Sequence, residues 1–270
     1  MKYHQYIYYY IPTFFALKTR FLKRSRWGLI VWCSEYLIPV LLAMIIQRWG
    51  DFSFMNSALA ILAVYNYYEI GYIQNDCETI KKEIKPTLRL SKEDLDYYEQ
   101  HKIDIYFFRI IIGVFCTSVF LYNDLPIIYI IGLWSILPIY YLYNTIRGRI
   151  NLYFIVILTT FRFCYPLLLY GGNDYFNIPL LLVIFFSYPF PTFIIQCVEG
   201  KYGKSEKWAL VFFHNYDDRF LFRVKYYFII SLVITILCVV SSLSWLLCII
   251  PYYYLVTRTS QLKMSRLGPK

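Results

Sequence analysis

Long, predominantly apolar runs alternate with polar connectors along this chain. The apolar stretches fall at about 27–47, 55–75, 104–122, 125–143, 152–171, 178–198, 221–240 and 243–257. Most approach the roughly 20 residues a helix needs to cross about 30 Å of hydrocarbon. The pattern predicts an all-α, polytopic membrane bundle of about eight (eight to nine) transmembrane helices, with the last stretch the shortest. Residues 5–17 read as an interfacial helix ahead of the first span. The polar connectors are unequal: 76–103 and 199–220 are long, and those between the other ends are short. Within the first long connector Pro86 stops any helix running on from the membrane. Ser91 then offers an N-cap with Asp94 three residues on, which predicts a short surface helix.

Composition agrees with a membrane protein. Of 270 residues 59% are hydrophobic and 16% charged, against about 25% charged in a soluble domain, so a water-facing surface cannot be covered. The whole chain, 1–270, reads as a single integral membrane domain, with 1–26 a cytoplasmic or interfacial N-terminal segment. No removable signal layout is evident at its start. The seven cysteines have neither disulfide-framework nor zinc spacing and read as free thiols. The aromatic content of 21% fits interfacial belts.

The net charge of +10 is distributed by side. Basic residues crowd the segments around 18–26, 81–102, 147–149, 201–225 and 258–270, whereas the opposite connectors hold Arg48 beside Asp51, Asp124 and Asp174. By the positive-inside rule, both termini and the long connectors lie in the cytoplasm, as in a multi-pass protein of the inner (plasma) membrane. No basic stripe sits on a water-soluble domain, so nucleic acid is not an expected partner.

Candidate chemistry lies on the basic side. Glu69, Asp76 and Glu83 are seven residues apart and share one helix face, each about 10 Å from the next. Glu69 falls within a span, where an ionisable group marks function by default, and Arg109 is close enough to a span end to snorkel. A carboxylate row beside Asn75, Lys85 and Arg89 fits Mg²⁺ held through a substrate phosphate. The sixth span ends similarly in Gln196, Glu199, Lys201, Lys204 and Lys207, with Gly200 and Gly203 permitting close backbone approach. Arg147 and Arg149 supply a third basic exit, and Arg162 lies within the fifth span, where it needs a partner or a wet cavity. No histidine cluster, nucleophile elbow or Walker loop is present, and no pair of broken midplane helices points to a transporter.

Two acidic exits four spans apart resemble the UbiA superfamily of intramembrane prenyltransferases. Asn75 and Asp76 match its N-D-x-x-D-x-x-x-D motif, with Glu83 at the last acidic position and Thr79 at the middle one; Glu199 and Gly200 match the second motif, with Cys197 and Lys201 where acids are usual. The resemblance implies a helical bundle, typically of nine spans, that binds Mg²⁺ through Asp76, Glu83 and Glu199. These carboxylates would serve catalysis on a polyprenyl phosphate or prenyl diphosphate. Asn75, Lys85, Arg89, Arg147, Arg162 and Lys201 would bind its phosphates. The stretches "KPTLR" and "FRFCYPLLLYGG" further resemble a branch that moves phosphoribose to a polyprenyl phosphate. A non-catalytic lipid-binding or scaffolding relative is the alternative from another class, favoured by the three missing acids.

Overall fold

Backbone amides without water must be satisfied inside their own segment. The chain meets this with helices, and among the described residues there is no strand. The computed structural model describes residues 3–23, 27–82, 87–146, 148–200 and 205–266. We label the long helices α1 Gly28–Gln47, α2 Phe54–Cys77, α3 Lys92–Tyr122, α4 Ile127–Thr145, α5 Asn151–Gly171, α6 Ile178–Glu199, α7 Arg219–Val240 and α8 Ile249–Arg266. Six of these, all but α2 and α8, are long and apolar enough to cross a membrane.

The polarity of α2 follows from its position. It packs against α3, α4 and α5 and buries Tyr65, Asn66, Tyr67 and Glu69 completely, so its side chains meet protein instead of lipid. In α8 the polar run "TRTSQLKMSR" lowers the mean hydropathy of the second half. The outermost faces are the reverse: α3 exposes Phe107, Phe115 and Val114, and α7 exposes Ile229, Ile236 and Val240.

Close approach between α2 and α4 depends on Gly71. A Cβ there would fall inside the ring of Tyr140, which is 3% exposed and packs edge-on to Tyr68 at 4.8 Å and to Tyr72 at 5.9 Å. Gly71→Ala should therefore destabilise the protein by about 1–3 kcal/mol through overpacking, read as a lower unfolding midpoint in detergent. An unchanged midpoint would mean that α4 can shift freely.

Two poles emerge from the side-chain contacts. Gln47 Nε2 donates to the Tyr175 carbonyl at 2.8 Å, and Tyr129 Oη to Asn173 Oδ1 at 3.0 Å, joining the connectors at one end. At the other, Asn144 Nδ2 donates to the Gly71 carbonyl and to Gln74 Oε1, and Arg149 pairs with Glu206 at 3.6 Å. The described basic residues Arg20, Arg89 and Arg149 lie at this second pole.

Three expectations are corrected. Residues 5–17 do not form an amphipathic surface helix: a 3₁₀ helix, Tyr3–Tyr9, leads to a turn at Thr13 with φ +78°, and the chain returns as Phe14–Ala16 and a wider π-type helix, Leu17–Leu22. This hairpin packs inward, burying Tyr8, Tyr9 and Phe15. The predicted surface helix forms, with Ser91 and Asp94 in a reciprocal capping box, and what is corrected is the connector after it: this helix meets the span directly at a kink at His101, the two together making up α3. Lastly, α6 is broken: Ile178–Ser187 and Pro189–Glu199 meet at Tyr188 (φ −137°, ψ −57°). Pro191 has no N–H to offer the Ser187 carbonyl, and Tyr227 Oη donates to that carbonyl at 2.5 Å, while Tyr226 Oη donates to Phe186 O at 2.6 Å.

Asp94 ties the hairpin to α3 on the outer side of the kink. It accepts from Tyr8 Oη at 2.7 Å and Lys18 Nζ at 3.0 Å, and its main-chain carbonyl accepts from Tyr9 Oη. Burial acts to raise its pKa, but the bonds from Tyr8, the Ser91 amide and Lys18 outweigh it and hold the carboxyl below its ordinary value. A carboxylate lowered in this way contributes stability fully above its unfolded pKa of about 3.9 and loses it as pH falls through the folded value. Amide exchange over Tyr8–Ala16 should stay slow at neutral pH and accelerate below about pH 4. Constant protection down to pH 3 would show that Asp94 does not anchor the hairpin.

Candidate functional site

Asp76 occupies the last turn of α2 at the basic pole and is 1% exposed. Arg20, from the π-type helix of the hairpin, reaches its Oδ2 with Nη1 at 2.8 Å and its Oδ1 with Nη2 at 3.1 Å. Arg89, from the connector after α2, donates to Oδ1 at 3.0 Å, as does Asn75 Nδ2. One carboxylate thus sits between two guanidiniums, and the group as a whole is cationic. Both arginines remain partly accessible, at 17% and 29% of their side-chain surface, so their unused donors can meet a ligand.

Tyr72, one turn back along α2, carries the site inward. Arg20 lies 4.2 Å above its ring, and Arg162 Nη1 from α5 donates to its hydroxyl at 3.3 Å. Arg162 is otherwise caged by aromatic faces: Tyr36 and Phe163 at 5.2 Å, Tyr68 at 5.7 Å and Tyr188 at 6.0 Å. Cation–π attraction supports a guanidinium in such a place, but no carboxylate pairs with it among the described residues, and its Nε is buried without a hydrogen bond. Helices α1, α2 and α6 stand around Arg162, yet Arg162, Tyr72 and Tyr188 are only partly buried. Together with Asp76 and its two arginines they form one cluster, the chamber, whose arginines and tyrosines stay partly accessible.

Beyond Tyr188 a second polar group joins α1 to α8. Arg258 Nη1 donates to Glu35 Oε1 at 2.5 Å and to Gln261 Oε1 at 2.6 Å, and Gln261 Nε2 reaches Glu35 Oε1 at 3.4 Å. Arg223, from the first turns of α7, stands within electrostatic reach of Glu35, Arg258 and Tyr188. Counting from Asp76 to Glu35, five guanidiniums face two carboxylates. Such a chamber attracts anions.

The predicted residues separate into three sets. Asp76, Asn75, Arg89 and Arg162 belong to the chamber. Glu199 is exposed at the end of α6, and Cys197 is buried in a local apolar cluster with Ile194 and Val198. Glu83, Lys85, Arg147, Lys201 and Lys204 lie outside the described residues, as does Pro86. Among the described residues no three His, Cys, Asp or Glu side chains stand close enough to hold a metal ion. Asp76 directs both oxygens at guanidiniums, so the chamber's described cations are arginines.

Glu69 is corrected. It does not continue a ligand-lining row with Asp76. It is fully buried, pairs with Arg109 Nη2 at 2.9 Å, and accepts from the amides of Thr13 at 2.9 Å and Ala16 at 2.7 Å. Arg109 does not snorkel; it is also fully buried and donates to the carbonyls of Tyr9 at 2.8 Å and Ile11 at 3.2 Å. The pair holds the N-terminal hairpin against α2, and the hairpin in turn presents Arg20 to Asp76.

Arg20, Glu35, Arg223 and Arg258 escaped notice in the sequence as site residues. The three arginines read as topology signals, because positive-inside residues and ligand-binding residues share one composition. Glu35 did carry a signal: an acid within an apolar span requires a partner.

No protein-family model, curated protein or solved structure matches the chain.

Proposed function

We propose that the chain is an integral membrane transferase of the UbiA prenyltransferase type, acting on a polyprenyl phosphate or prenyl diphosphate at the cytoplasmic face. The observation that carries this reading is Asp76 held between Arg20 and Arg89, next to an Arg162 guanidinium surrounded by aromatic rings. An apolar chain can lie among the helices while its phosphate meets the guanidiniums. In this reading all eight helices span an inner membrane, with both termini in the cytoplasm, as the charge distribution requires.

The chemistry common to this class breaks a carbon–oxygen bond to a diphosphate, which leaves with the electron pair while a nucleophile bonds to the carbon. Charge grows on the departing oxygens, so preorganised cations lower the barrier. Here Arg20 and Arg89, oriented by Asp76, supply them. The UbiA-type reading also includes Mg²⁺, for which Asp76, Glu83 and Glu199 would be the ligands and which would supply further charge neutralisation. With both Asp76 oxygens on guanidiniums, that role falls to Arg20 and Arg89 in the arrangement described.

A second form of the reading has the lipid phosphate as acceptor of phosphoribose from a soluble diphosphate donor. The excess of arginines over carboxylates favours it, because both substrates then bring phosphate. The deciding assay incubates purified protein with Mg²⁺, polyprenyl phosphate and phosphoribosyl diphosphate, and separately with prenyl diphosphates and aromatic acceptors, reading lipid products by mass spectrometry. A pentose-phosphate increment supports the second form and a prenylated acceptor the first. Lipid binding without any product would leave a non-catalytic relative as the better reading.

A further inference from the structure

We infer that the chamber contains a second anion site, separate from Asp76, in which Arg162 and Arg223 hold a dianionic phosphoryl group beside the break in α6. The argument starts from unbalanced charge. A guanidinium inside a helical membrane bundle is costly unless paired or wet, and charged side chains at such depth mark ligand pathways. Glu35 neutralises Arg258, and Gln261 bonds to both partners. That leaves Arg162 and Arg223. Among the described residues Arg162 makes one hydrogen bond, to Tyr72 Oη, and Arg223 has neither a hydrogen bond nor an ion pair.

Tyr188 lies within reach of both. Its ring centre is 6.0 Å from the Arg162 guanidinium, and its hydroxyl is within electrostatic reach of Arg162, Arg223, Arg258 and Glu35 together. Tyr188 is also the residue at which α6 breaks, so the half-helix Pro189–Glu199 begins there. Two guanidiniums without a counter-ion of their own, from α5 and α7, thus come within reach of the residue at which α6 breaks. A phosphoryl dianion matches the two surplus charges, and the arginine forks match its oxygens. Tyr36, Phe163 and Tyr188 around Arg162 would border an apolar or flat portion of the same ligand.

The alternative is that Arg223 is a structural cation. The two roles differ in a way that can be measured. A structural arginine stabilises the empty protein, so its loss lowers the unfolding midpoint with or without ligand. A ligand-holding arginine is a liability when the site is empty. Its replacement leaves or raises the midpoint of the free protein and removes the stabilisation that a ligand supplies.

The test uses the full chain in nanodiscs, without divalent metal, titrated with inorganic pyrophosphate by calorimetry and followed by thermal unfolding. In a second arm, phosphatidic acid is included in the disc as a lipid-borne phosphate monoester. We expect two pyrophosphate binding events in the wild type. Arg223→Gln should abolish one, or weaken it at least tenfold, with an unchanged or higher midpoint for the free protein. Arg89→Gln should weaken only the other, so failure of the Asp76 reading and failure of this one are distinguishable. Arg162→Gln, tested in parallel, should affect the same event as Arg223→Gln. If phosphatidic acid alone gives Arg223-dependent stabilisation, the phosphoryl group belongs to a lipid; if pyrophosphate alone does, it belongs to a soluble ligand. Wild-type behaviour of both the Arg223 and Arg162 variants in both arms overturns the inference. So does a midpoint that falls equally with and without ligand.

Discussion

Arg109→Met is expected to destabilise the protein by about 3–5 kcal/mol, the usual cost of removing one partner from a buried ion pair. Glu69 would keep the amides of Thr13 and Ala16 but lose its counter-charge in a fully buried place. The carbonyls of Tyr9 and Ile11 would lose their donor at the same time. The effect should therefore be local as well as global. Hydrogen exchange over Tyr8–Ala16 should rise far more than exchange in α5 or α7. Because the hairpin carries Arg20, the variant should also lose turnover without any change at Asp76 itself. Glu69→Gln combined with Arg109→Met should recover part of the stability, since no unpaired charge remains. A single variant that costs less than about 1 kcal/mol would mean that the pair is not what fastens the hairpin.

Asp76→Asn is expected to lower turnover at least a hundredfold, equivalent to about 2.7 kcal/mol of transition-state stabilisation, while the protein still folds. The carboxylate brings Arg20 from the hairpin and Arg89 from the connector to one point. An amide of the same shape cannot balance two guanidiniums, which would repel each other and move apart. Small displacements of positioning groups are enough for losses of this size. Retained folding is checked by the thermal midpoint, and turnover by the lipid-product assay. If Asp76→Asn keeps wild-type activity, the Asp76 cluster is structural and the transferase reading loses the observation that carries it.

Much of the architecture was legible along the chain because the bilayer imposes a simple demand. Uncharged runs of helical length can satisfy their own backbone polar groups, and the boundaries of α1, α4, α5, α6 and α7 follow those runs closely. Ser91 and Asp94 announced the start of α3 through local hydrogen bonds that involve only neighbouring residues. An Asn–Asp pair at the end of an apolar run was conspicuous for a related reason, its cost, and Asp76 gathers Arg20, Arg89 and Asn75 around it.

The failures share a cause. Glu69 and Asp76 have the same helical phase, and periodicity alone assigned them the same role. The N-terminal hairpin, which turns at Thr13 and packs beside α2, gave Glu69 two amides and gave Asp76 the guanidinium of Arg20, while α3 gave Glu69 Arg109. Nothing in the residues near α2 could announce partners so far along the chain. Arg223 and Arg258 read as ordinary basic flanks, until α7 and α8 folded back against α1 and brought Arg258 to Glu35.

By itself, then, the sequence determined a helical membrane protein, its approximate spans, the side on which cations gather, and the presence of an acidic–amide exit from α2. These properties depend on hydrophobicity, period and charge over short windows. The tertiary structure decided which carboxylate is a fastener and which belongs to the site, that α6 breaks at Tyr188, and that five arginines share one chamber. Those depend on long-range pairing, because a charge buried among helices takes its role from its partner, and the partners here are brought together only by the packing of the bundle.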